Sequence, residues 1–130
     1  MLVADWNDLR NFIYSNYTIN HDEGEHISLN FEAGLRTQMV HLFLATDGYG
    51  NEWVQIASAV GELGSGPVEP LLRLADEKIC GGLSLIDQLL VYRHCVPLIS
   101  ADADDIIGPM AVVAGVADEM EKIYTGRDGF

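Results

Sequence analysis

Apolar side chains recur along this chain with two different periods, and the points where the period changes divide it into elements. Asp5 stands as a helix N-cap before Trp6, Leu9 and Ile13 at helical spacing, with Phe12 beside them and Asn7, Asp8, Arg10 and Asn11 facing away. That pattern predicts a short amphipathic helix. Ile27, Leu29 and Phe31 then alternate with His26, Ser28 and Asn30, the period-two signature of a strand with one buried face. Glu32 to Arg36, containing Gly34, predicts a turn. From Thr37 to Thr46 the alternation places Val40, Leu42 and Leu44 on one face and Met39, His41 and Phe43 on the other. After the turn-forming DGYGN, Val54, Ile56 and Val60 share one face of EWVQIASAV, opposite Trp53, Gln55, Ala57 and Ala59. These three strands predict an antiparallel meander.

GELGSGP interrupts the sheet, and Val68, Leu71, Leu72 and Ala75 then form an apolar helical stripe. Pro67 and Pro70 suit the start of that helix, and Gly81-Gly82 is its expected stop. GLSLIDQLLVYRHCVPL reads as two strands around a tight turn near Asp87-Gln88, in preference to one long strand, with Pro97 at a strand end. Asp102, Asp104 and Asp105 suit a helix N-terminus, and Ile106, Met110, Val113, Ala117 and Met120 continue at helical spacing toward Tyr124. Gly108-Pro109 should kink this helix or mark its true beginning. The predicted order is α-β-β-β-α-β-β-α, an α+β fold whose antiparallel sheet has helices packed mainly on one face. No repeat or linker divides residues 1–130, so a single domain is expected.

Composition narrows the function classes. Twenty Asp+Glu against seven Lys+Arg give a formal net charge of −13. With a sequence pI near 4.3, the surface should repel phosphate backbones and anionic membranes, so nucleic acid and membrane are not expected as partners. A hydrophobic content of 48% and a mean hydropathy of +0.12 supply enough apolar surface for one core. The opening MLVADWNDLR lacks a basic leader pattern, and no apolar run approaches the length of a bilayer span, which predicts a cytoplasmic protein. Cys80 and Cys95 fit that compartment as small packing residues.

Candidate chemistry is sparse. HDEGEH, from His21 to His26, offers two imidazoles and three carboxylates, yet histidines five apart on one strand face opposite ways, so a solvated acidic loop is expected in place of a metal site. GELGSGP lies where a phosphate loop would sit but lacks the Lys-Ser/Thr ending, and Glu62 would repel phosphate. Asp47 to Glu52 and Asp102 to Asp105 lack the twelve-residue calcium pattern. His94 and Cys95, neighbours on a strand, cannot act together as base and nucleophile, and there is no Gly-x-Ser-x-Gly elbow. No catalytic residue, cofactor or metal is therefore expected.

One feature rises above this background: the strands are apolar on both faces. If Val40, Leu42, Leu44, Val54 and Ile56 pack under the helices, Met39, Phe43 and Trp53 emerge opposite, and Leu89, Val91 and Cys95 alternate in the same way. Either a helix covers that second face or a different strand register inverts the assignment, or Met39, Phe43, Trp53, Leu89, Val91 and Cys95 form a dimer or partner surface.

The order of elements, carried by PLLRLADEK, by GGLSLIDQLLVYRHCVPL with Tyr92-Arg93 and Val96-Pro97-Leu98, by Ala117-Asp118 and by the tail Tyr124 to Asp128, resembles YbjN-type members of the type III secretion chaperone-like superfamily. The resemblance implies a compact, commonly dimeric domain that acts by binding protein, as a chaperone holding a client segment or as a regulator. It carries over no catalytic residue. The expected function is thus a non-enzymatic protein-binding module acting as a homodimer, with a protein client or regulatory partner that the negative charge would favour as basic. The alternative is a small-ligand or metal-responsive sensor, or an unrecognised enzyme, built on the His21 to His26 region.

Overall fold

A computed structural model describes residues 2–33 and 36–126. The chain runs α1 (Trp6–Asn16), β1 (Thr18–Asp22), β2 (His26–Ala33), β3 (Arg36–Thr46), β4 (Glu52–Glu62), α2 (Glu69–Asp76), β5 (Gly82–Ile86), β6 (Leu89–Pro97) and α3 (Asp104–Thr125). The strands form one antiparallel sheet in the order β1-β2-β3-β4-β6-β5. The α+β class and the one-sided helices agree with the sequence pattern. The order of elements does not, because four strands rather than three precede α2.

The additional strand is β1. Its sequence TINHD has one apolar side chain, Ile19, that packs against the core, so no alternation betrays it. It exists through tertiary pairing. Its residues pair with β2 across a register shift between Ile19 and His21, and Asp22 ties it to α1. The Asp22 carboxylate accepts from Arg10 Nη1 at 2.7 Å and Nη2 at 2.5 Å, and also from the Tyr14 hydroxyl and the Gly24 amide. The Arg10 hydrogen bonds foremost, then those of Tyr14 and Gly24, hold the Asp22 carboxyl well below the usual carboxylate range.

All three helices lie on one side of the sheet, since their buried side chains join one core with Ile27, Leu29, Val40, Leu42, Val54, Ile56, Tyr92 and Val96. Helix α1 begins as its sequence predicts, with the Asp5 side chain accepting from the Asp8 amide. Helix α3 packs chiefly across β4 and β6 through Ile106, Met110, Val113, Ala117 and Met120. Its C-terminal turn presses on β4, where a Cβ on Gly61 would lie 2.9 Å from Thr125 Cγ2.

Two boundaries depart from expectation. Helix α2 stops at Asp76, well before Gly81-Gly82. Beyond Leu74 and Ala75 no side chain reaches the core, Ile79 is exposed, and the Glu77 and Lys78 amides bond carbonyls three residues back, which tightens and ends the helix. Gly108-Pro109 does not begin α3, which starts at Asp104. Pro109 falls within its first two turns, where the missing N–H costs one intrahelical bond and the buried stripe outweighs the loss. The two late strands and their turn at Asp87, with φ 54°, are as expected. Of the turn expected from Glu32 to Arg36, Glu32 and Ala33 belong to β2 and Arg36 to β3, because cross-strand pairing extends through them, while Gly34 and Leu35, like the tail residues 127–128, lie outside the described residues. Among the described residues, no helix is long and apolar enough to cross a membrane.

Candidate protein-interaction face

Because side chains alternate along a strand, every residue that points into the core leaves its neighbour on the far face. The pairing register assembles those neighbours into rows. Ser28, His41, Ala57 and Arg93 are cross-strand partners in one row; His26, Phe43, Gln55 and Cys95 in the next; Ala45, Trp53 and Pro97 in a third. Asn30 and Met39 pair on this face, as do Ala59 and Val91. Leu89, two residues before Val91, completes the set. Met39, Phe43, Trp53, Leu89, Val91 and Cys95 therefore share the helix-free face of the sheet.

Exposure on that face is uneven. Ala57 and Val91 are only 2% and 4% accessible, so they form a floor, while Met39 at 41% and the half-buried Phe43, Trp53 and Cys95 stand above it. Polar side chains interrupt the apolar ones but are satisfied laterally. Arg93 Nη1 donates to Gln55 Oε1 at 2.8 Å and lies 3.7 Å from Cys95 Sγ. Trp53 Nε1 donates to Asp47 Oδ2 at 2.9 Å, which fixes the indole at the rim beside Ala45 and Cys95. That bond, with those from the Asn51 and Tyr49 amides, draws the Asp47 carboxyl below its ordinary value.

The histidines were not legible as a group in the sequence. His21 and His26 stand on adjacent strands rather than on opposite faces of one strand or in a loop, with ring centroids 6.4 Å apart. Glu23, in the turn between them, accepts from or faces both: its Oε1 is 2.6 Å from His21 Nε2 and its Oε2 is 3.9 Å from His26 Nδ1. His26 stacks on Phe43 with centroids 4.3 Å apart, and its Nε2 is 2.9 Å from His41 Nδ1. Burial, then the neighbouring His26, lowers the His41 pKa. Among the described residues no group of three or more His, Cys, Asp or Glu is arranged to hold a metal ion. His94 and Cys95 point to opposite sides of β6: His94 Nδ1 accepts from the Gly81 amide at 3.0 Å, and Cys95 lies beside Arg93.

Charge distribution is the most telling property. Among the described residues no acidic side chain occupies these rows; Glu23, Glu32, Asp47 and Glu62 stand only at the rim. The helices, the turns and the strand ends Asp22 and Glu52 hold the others that are described, including Asp8, Glu69, Asp76, Asp104 and Glu119.

These shifts carry a pH signature. A histidine whose folded pKa is lowered binds its proton more readily when unfolded, so its contribution to stability is whole above the ordinary value of 6.5 and declines as pH falls below it. The lowered Asp22 and Asp47 act in a separate window, stabilising above their ordinary value of 3.8 and failing as pH falls through and below it. Urea midpoints measured against pH should show two descents, and His41→Gln should remove the upper one alone. A single acid descent in the unaltered chain would contradict this assignment.

No protein-family profile matches the chain, and neither a curated protein nor a solved structure does.

Proposed function

We propose that this chain is a non-enzymatic protein-binding module, chaperone-like or regulatory, that works as a homodimer joined through the helix-free sheet face. The observation that carries the reading is an apolar, aromatic-bearing face without a central carboxylate in a chain of net charge −13. Solvent exposure does not require that depletion. Apposition of two acidic copies does, because like charges facing each other in a desolvated seam cost several kcal/mol. Six strands about 4.8 Å apart and seven residues at about 3.4 Å each span about 29 by 24 Å, or about 700 Å². That footprint is close to the about 800 Å² each partner buries in a standard interface.

The dimer leaves the sheet edges for a client. β5 pairs with β6 only from Leu89 to Arg93, so the stretch from His94 to Pro97 is paired on its β4 side alone among the described residues. An extended segment with apolar residues at alternate positions and Lys or Arg between them suits such an edge by strand addition. The secretion-chaperone resemblance is consistent with this role.

Trp53 reports the seam, and Trp6, 7% accessible in the core, must be silenced first. In a Trp6→Phe background, acrylamide quenching of Trp53 should fall as protein concentration rises into tens of micromolar. Added salt should deepen that protection, since screening relieves repulsion between two −13 chains, whereas it should slow capture of a basic client. Quenching independent of concentration would refute the seam.

A further inference from the structure

We infer that the His26–His41 pair is a proton-operated release for that seam: with one shared hydrogen bond the face is closed to charge and two copies associate, and with both rings protonated they separate. The inference rests on the proposed dimer. It follows from the geometry of the two rings. His26 Nε2 and His41 Nδ1, 2.9 Å apart, make a hydrogen bond only if one nitrogen donates and the other accepts. Protonating both rings turns both nitrogens into donors. The bond is lost, and two positive charges face each other beside Phe43, at the β2 end of the apolar rows.

The surroundings decide whether this matters. From β1, His21 faces the pair, and from the β1–β2 turn Glu23 does, already within 2.6 Å of His21 Nε2 and only 3.9 Å from the outer nitrogen of His26. Ser28 on β2, Met39 and Phe43 on β3, and Gln55 and Ala57 on β4 bring no charge. Along the row beyond Ala57 stands Arg93 on β6, a further cation. Among the described residues no helix packs on this side. A second copy would therefore desolvate a doubly protonated pair with one rim carboxylate nearby and no anion at its centre, whereas the neutral pair enters the seam with its facing nitrogens satisfied.

Acidification has a second effect of opposite sign, which makes the test sharp. Protonation anywhere on a chain of charge −13 lessens the repulsion between copies and by itself should tighten a dimer. Weakening on acidification thus reports the pair and not the overall charge. Sedimentation equilibrium of the full chain should show the dissociation constant rising at least about tenfold between about pH 7.5 and pH 5.5, because each separating copy takes up the two protons that leave both facing nitrogens as donors. His26→Gln and His41→Gln, neutral at both pH values, should each abolish the rise, and His21→Gln should leave it intact. Histidine-resolved NMR titration should show His26 and His41 responding to each other's protonation.

A dimer of unchanged or greater affinity at the lower pH would overturn this inference and leave the dimer standing. A chain that is monomeric at both pH values would overturn the dimer and the release together. Should either glutamine variant fail to fold, the other together with the NMR titration still decides: independent titration of the two rings would contradict the shared bond.

Discussion

Trp53→Asp is expected to weaken self-association by about 100-fold or more, equivalent to about 2.7 kcal/mol. Trp53 stands half-buried in the row of Ala45, Trp53 and Pro97, its indole fixed by the 2.9 Å bond to Asp47. A rigid aromatic anchored at a seam has the character of an interface hot spot, whose truncation commonly costs 2 kcal/mol or more. The aspartate adds a second penalty. It sets a carboxylate beside Asp47 and, in a two-fold dimer, does so in both copies, in rows that contain no counter-ion apart from Arg93. Ile123→Asp is the matched control. Ile123 is 54% accessible on α3, on the other side of the sheet, so the same change of chemistry there should leave the dissociation constant within about threefold of the unaltered value, inside the range of an ordinary surface substitution. Sedimentation at several concentrations measures both variants, and equal effects from the two would remove the face from consideration.

Gly81→Ala is expected to lower folding stability by about 2–5 kcal/mol, since among the described glycines its added Cβ meets the shortest contact. Gly81 has φ +87°, a region in which L side chains are strained by about 1–2 kcal/mol. Its added Cβ would lie 2.5 Å from Tyr92 Cε2, 2.9 Å from Tyr92 Cζ and 3.1 Å from the Arg93 carbonyl. Tyr92 has nowhere to withdraw. It is fully buried in the core, and its hydroxyl donates to the Cys80 carbonyl at 2.5 Å. The Gly81 amide is also held by His94 Nδ1. Chemical denaturation should show the loss as a lower midpoint. Gly82→Ala, next in sequence but in a strand and with nothing within 4 Å of its Cβ, should be neutral or stabilise by up to about 1 kcal/mol. Equal losses at the two positions would contradict the packing of Tyr92.

What the sequence disclosed depended on whether an element carries its own periodicity. Strands β2, β3, β4 and β6 do, so their two faces were legible, including the alternation that sets Met39, Phe43, Trp53, Val91 and Cys95 opposite the core. Strand β1 does not: Ile19 is its one apolar residue, and the pairing with β2 and the Arg10–Asp22 bridge that hold it are tertiary. The same limit hid the histidine cluster. HDEGEH is contiguous in sequence, but it spans two strands and a turn, and His26 meets His41 only through the β2–β3 register. A signal was present, since His26 and His41 both fall on the alternates of consecutive strands that face away from the core, but the intervening turn set their offset. The C-terminal end expected for α2 at Gly81-Gly82, and the reading of Gly108-Pro109 as a beginning rather than a kink of α3, give glycine and proline more weight than core contact, which ends one helix at Asp76 and carries the other from Asp104 through Pro109.

The helix-free face is either a seam or a wet surface, and the mass of the chain in solution separates the two most directly. Light scattering on the unaltered protein at neutral pH, moderate salt and tens of micromolar concentration should give twice the chain mass of 14.3 kDa. A single species at 14.3 kDa under those conditions would contradict the dimer and every consequence drawn from it.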